Sequence, residues 1–150
     1  MSKRYLVAGV GNTLRGDDGV GIKALAYLKN KLNNKDFDFF EFSTQSIDIL
    51  NYIKQYLYTF IIDAADFGAP AGSVKGFYLE DLNSGTVKNR LSTHSLSLLD
   101  FLKLYKMLDI RNKVYVIGIQ PNNLLLCNDL SSEVKASFPG VLNQITKILN

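Results

Sequence analysis

Tyr5-Leu6-Val7-Ala8-Gly9-Val10 is a short apolar run that passes straight into a glycine-rich turn, and this junction constrains the chain more than any other feature. Between Gly9 and Gly21 there are five glycines in thirteen residues. An apolar run without polar alternation reads as a strand buried on both faces, which belongs in a parallel sheet rather than at an edge. Helical periodicity follows the turn, with Val20, Ala24, Leu25 and Leu28 recurring up to about Leu32 and Lys29 and Lys31 suited to the last turn. Asp17 or Asp18 is expected to cap this helix.

The alternation continues. Phe37 to Phe42 reads as a strand, Ile47 to Leu57 as a helix, and Thr59 to Ile62 as a third buried strand ending at Asp63. Gly68 to Gly72 must be loop, and Val74 to Leu79 arrives after a connection too short for a helical crossover, so this strand is expected to run antiparallel. A helix is expected to start near His94 and to carry Leu96, Leu98, Leu99, Leu102 and Tyr105, followed by a strand from Lys113 to Ile119. From Ser131 a helical face runs through Val134, Phe138, Val141, Leu142, Ile145, Ile148 and Leu149, with Pro139 either kinking it or opening a new first turn. Strands alternating with helices over residues 1–150 predict one three-layer α/β domain with a mostly parallel sheet.

Composition narrows the function classes. The formal charge of +3 is small and scattered, which argues against a nucleic-acid partner. No stretch approaches the roughly 18 consecutive apolar residues of a membrane span, and the first residues lack the pattern of a signal peptide. Cys127 is the single cysteine, so no intramolecular disulfide can form. These features predict a soluble, cytoplasmic protein, monomeric by default.

In α/β sheets ligands gather at the carboxyl ends of the strands, and three places there carry chemistry. In the first, Gly9-Val10-Gly11-Asn12-Thr13-Leu14-Arg15-Gly16-Asp17-Asp18-Gly19-Val20-Gly21, Leu14 stands where the third glycine of a dinucleotide fingerprint belongs, and two carboxylates would repel phosphate. A P-loop lysine is also missing, so no nucleotide or organic cofactor is expected. Asp17 and Asp18 either cap the helix or attract a cation. The second place is Asp63-Ala64-Ala65-Asp66-Phe67-Gly68, where Asp63 is the functional candidate and Asp66 the turn former. The third holds His94, the only histidine, which is either a surface or capping residue or a ligand. Asp18, Asp63 and His94 together would make an open divalent site, with manganese, iron, nickel and zinc all compatible. Ser92, Ser95 and Ser97 lie outside any nucleophile elbow, and Cys127 reads as a buried apolar side chain.

Three motifs, Gly9 to Gly21, Ile62 to Gly68 and Thr93-His94-Ser95-Leu96-Ser97-Leu98, together with Ile117-Gly118-Ile119-Gln120-Pro121, resemble the hydrogenase maturation endopeptidases over nearly the whole chain. The resemblance implies a phosphorylase/hydrolase-like α/β/α domain with a mixed, mostly parallel sheet of about five strands. It implies that Asp18, Asp63 and His94 are the metal-contacting and catalytic set, and that the metal is nickel held by the substrate. The implied substrate is a nickel-iron hydrogenase large-subunit precursor, which loses a C-terminal extension once nickel has been inserted. A carboxylate or the metal would activate the attacking water. One departure stands out: many relatives carry Asp-Gly-Gly-Thr after the second strand, where this chain has Glu41-Phe42-Ser43-Thr44. The missing glycine pair keeps open a second reading, a nickel-sensing assembly chaperone that binds a metalloenzyme precursor without cutting it.

Overall fold

The computed structural model describes residues 3–43, 47–84 and 98–150. Five strands, β1 (Tyr5–Val10), β2 (Phe37–Phe42), β3 (Tyr58–Ala64), β4 (Val74–Tyr78) and β5 (Lys113–Ile119), form one sheet in the order β2-β1-β3-β5-β4. β1 pairs in parallel with β2 and β3, and β3 with β5, while β4 runs antiparallel on β5. The short Gly68–Gly72 connection could reach the sheet only as a reversal, as its length predicts.

Among the described residues, five helices cover the sheet: α1 (Val20–Lys31), α2 (Ile49–Ile53), α3 (Leu98–Met107), α4 (Ser132–Lys135) and α5 (Phe138–Leu149). The period-2 alternation of β1 divides the core in two. Leu6, Ala8 and Val10 pack with Ile49, Leu50 and Ile53 of α2 and Phe101, Leu102 and Tyr105 of α3. Val7 packs on the opposite face with Val20, Ala24, Leu25 and Leu28 of α1 and Val141 and Ile145 of α5. Pro139 lies in the first turn of α5, where its missing N–H costs nothing, so it opens a new helix rather than kinking one.

Three expectations need correction. The segment expected to be helical from Ile47 to Leu57 is helical only from Ile49 to Ile53. Tyr56 donates its hydroxyl to Asp38, and the Leu57 amide reaches the Arg4 carbonyl, so the chain is turned early toward β3. Asp63 lies within β3, opposite Gly118 of β5, and not after the strand. Finally, no side-chain cap opens α1. A single 3-10 turn, Gly16–Gly19, precedes the helix, with Gly19 at the N-cap position and no capping bond from Asp17 or Asp18.

β1 and β3 are neighbours whose connections leave in opposite directions, which makes the space at their carboxyl ends the switch point of the sheet. The backbone there is packed so closely that Gly21 has no room for a side chain. A Cβ at that position would lie 2.1 Å from the Ile62 carbonyl oxygen and 2.5 Å from that of Val10. Gly21→Ala must push α1 off both strands and should cost about 1–3 kcal/mol or more, in line with overpacking elsewhere. Urea unfolding at neutral pH checks this, and an unchanged midpoint would show that α1 can shift freely.

Candidate active site at the carboxyl ends of β1 and β3

The turn after β1 is held down by a strap, residues 121–131, that crosses from β5 to α4. The Gly16 amide donates to the Cys127 carbonyl at 2.8 Å, the Asp17 amide to the Asn123 carbonyl at 2.7 Å, and the Cys127 amide to the Leu14 carbonyl at 2.9 Å. Arg15 and Cys127 form a parallel bridge. Gly16 is required here twice over: its φ is +55°, and a Cβ would come within 2.5 Å of the Asn123 carbonyl oxygen.

Asp17, buried, completes this tie. Its Oδ2 accepts the amides of Asn122 at 2.8 Å and Asn123 at 2.9 Å and the Ser131 hydroxyl at 2.8 Å, and its Oδ1 accepts the Ser131 amide at 2.7 Å. Burial alone pushes its carboxyl up, but the three backbone amides and the hydroxyl outweigh burial and hold it below the usual 3.8. A carboxylate so engaged makes a poor base and has little capacity for a metal. The two adjacent aspartates of the motif therefore do different work. Asp17 is structural, although neither of its two expected roles, helix cap or cation ligand, is the one it fills.

Asp18, also buried, is carried by the same 3-10 turn, and its Oδ2 accepts the Asn12 amide at 3.2 Å. This contact draws the Gly11–Leu14 loop over it. The turn that carries Asp18 packs against β3, the strand that carries Asp63. Asp63 is buried at the rim of the sheet. Its position in β3 has the parity of Ile61, whose side chain belongs to the layer of α2 and α3. His94 lies outside the described residues. Among the described residues, to which His94 does not belong, no three His, Cys, Asp or Glu side chains group closely enough to hold a metal ion.

Asp66 forms the expected turn, accepting the Gly68 amide at 3.1 Å. Gln120, at the end of β5, accepts the Phe67 amide at 2.8 Å and donates to Asp66 at 3.1 Å, which ties this loop to the next strand. Sequence reasoning missed Gln120 and the strap. The signal was available, since Pro121-Asn122-Asn123 follows an apolar strand at the same rim. Cys127, expected in the core, is half-buried in the strap, where its Sγ accepts the Asp129 amide. A groove of about 420 Å³ opens between Gly11, Asn12, Thr13 and Leu14, the loop whose Asn12 amide bonds Asp18, on one side and Glu41, Phe42 and Ser43 on the other. The residues that replace the glycine pair of many relatives thus form one wall of it.

Because the folded-state pKa of Asp17 is depressed, its stabilisation is complete above the unfolded value of about 3.8 and is lost as pH falls through the lower folded value. Asp17→Asn should cost about 1–3 kcal/mol at neutral pH, since an amide nitrogen would then face amide donors. The gap between wild type and variant should stay level down to about pH 5 and narrow below about pH 4. Urea titrations across this range check it, and a gap that widened on acidification would contradict the assignment.

A profile described as hydrogenase maturation protease matches residues 22–148. A putative hydrogenase maturation protease of Methanocaldococcus jannaschii is 31% identical over 98% of this chain and 89% of its own length. Among solved structures, the nickel-iron hydrogenase maturation protease HybD of Thermococcus kodakarensis is 29% identical, with a TM-score of 0.75 over 98% of this chain and 99% of that one. The hydrogenase-maturating endopeptidase HybD of E. coli, at 24% identity, shares the fold with a TM-score of 0.78 over 97% of this chain and 91% of that one. With the profile covering most of its length and its fold matched throughout, the chain belongs to the hydrogenase maturation protease family and is an endopeptidase.

Proposed function

We propose that this endopeptidase removes the C-terminal extension of a nickel-iron hydrogenase large-subunit precursor after nickel insertion, and that Asp18, Asp63 and His94 read the nickel which the precursor carries. The observation that carries the reading is that Asp18, in the 3-10 turn after β1, and Asp63, near the carboxyl end of β3, both sit at the switch-point end of the sheet, while Asp17 is withdrawn into structure. Two carboxylates and an imidazole are donors that nickel accepts. The ion belongs to the substrate. Three protein ligands leave the shell incomplete, so the resting protein is expected to hold little metal and to meet it on the precursor.

Hydrolysis needs water to add to the scissile carbonyl and a group to take its proton before the C–N bond breaks. The low pKa and full hydrogen bonding of Asp17 exclude it from that role and leave it to the proposed set. The groove along the Gly11–Leu14 loop offers room for the polypeptide, with Glu41, Phe42 and Ser43 shaping which sequence fits. The proposed setting is cytoplasmic and monomeric.

Asp18→Asn, Asp63→Asn and His94→Ala should each reduce processing of nickel-loaded precursor by at least about a hundredfold, the scale of losing an acid–base or metal-reading group. Asn at position 18 keeps the volume and a carbonyl oxygen for the Asn12 amide, so the fold should persist. Cys127→Ser should still process. Circular dichroism and intact-mass spectrometry of the precursor check all four variants. Full activity in Asp63→Asn would remove it from the site, and loss of folding there would make it a structural carboxylate. Binding of the precursor without any change in its mass, by the wild type, would favour the chaperone.

A further inference from the structure

The strap does more than hold the turn. Leu130 is buried with Val134 in the layer of α1 and α5, and Asp17 fixes Asn122, Asn123 and Ser131, so both ends of the strap are anchored. Between those anchors Leu125 and Leu126 point outward, 75% and 86% exposed. The bridge of Arg15 with Cys127 and the bond from the Cys127 amide to the Leu14 carbonyl bring Leu14 against the part of the strap that carries Leu126. Leu14 is itself 61% exposed. Three leucines thus stand in water on a frame whose backbone is tied by hydrogen bonds from Leu14 to Asp17. Side chains of this kind gain free energy when covered, and a tied frame cannot turn them inward.

We infer that Leu14, Leu125 and Leu126 form a specificity-determining lip that docks an apolar stretch of the precursor polypeptide beside its cleavage point. The inference rests on the endopeptidase reading above. Continuity with the groove selects this occupant: Leu14 is at once the inner member of the lip and part of the groove wall, three residues before Asp17 and four before Asp18. Polypeptide held in the groove lies against Leu14, and the exposed Leu125 and Leu126 extend the same apolar surface along the strap. The lip belongs to the strap and the first motif, and so is distinct from the Glu41-Phe42-Ser43 wall.

The test uses full-length, nickel-loaded large-subunit precursor with the wild type, Leu125→Ser/Leu126→Ser, and Met107→Ser. Met107 is 80% exposed at the end of α3 and serves as the control for loss of an exposed apolar side chain. Steady-state cleavage and direct binding are measured in parallel. The lip variant should raise KM and Kd roughly tenfold and leave kcat within about twofold, because docking away from the reacting atoms is felt equally before and during reaction. Met107→Ser should match the wild type, and Leu125→Met/Leu126→Met should restore KM. Unchanged KM and Kd in the serine variant would overturn the lip, as would a wild-type dimer that the serine variant dissolves. If the wild type binds but does not cleave, the endopeptidase reading of this substrate fails, and a tenfold loss of binding in the serine variant alone still supports the lip. A wild type that neither binds nor cleaves overturns it.

Discussion

The rim of this sheet depends on one buried carboxylate. Asp17 joins the turn after β1 to residues more than a hundred positions away, through bonds to Asn122, Asn123 and Ser131. A buried charge without such partners would cost several kcal/mol, so the strap and the carboxylate stabilise one another or neither is stable. Asp18 is the next residue, and the position of the candidate reactive group follows from the position of the structural one. Gly16 and Gly21 complete the arrangement by letting backbone meet backbone where any side chain would intrude. The glycine density of the first motif thus reflects close packing around carboxylates, which is a different use of glycine from phosphate cradling.

Much of this was legible in the sequence. The strand from Lys113 to Ile119 and the antiparallel arrival of Val74 could be read from apolar runs and loop lengths, because burial on both faces leaves little choice of residue. The α/β/α layering follows from the same alternation. What could not be read was tertiary in origin. The early end of α2 depends on Tyr56 finding Asp38 and on Leu57 finding Arg4, contacts between segments that local periodicity does not encode. The extra residues of β3 come from continued pairing with β5 past Ile62, which carries Asp63 into the strand.

At the site the sequence was informative about chemistry and silent about assignment. Adjacent aspartates look alike in a string of residues, and helix capping was a fair expectation for either one. Only the strap tells them apart, by saturating the carboxylate of Asp17. The strap could have been suspected, since Pro121-Asn122-Asn123 follows an apolar strand toward the same rim, but its partner was not predictable from turn propensity. The departure from the family's glycine-bearing segment was visible at once, and the place of Glu41, Phe42 and Ser43 on the groove wall gives it a physical consequence: the side chains of Phe42 and Ser43 stand where that pattern has glycines.

The central claim is that the protease acts only on a substrate whose nickel is already in place. Its most direct test is the intact mass of one large-subunit precursor, prepared with and without nickel and incubated with equal amounts of the wild-type protein. The account predicts loss of a C-terminal peptide from the nickel-loaded precursor and an unchanged mass for the nickel-free one. Equal cleavage of both forms would contradict it, and would mean that Asp18, Asp63 and His94 do not read the precursor's nickel.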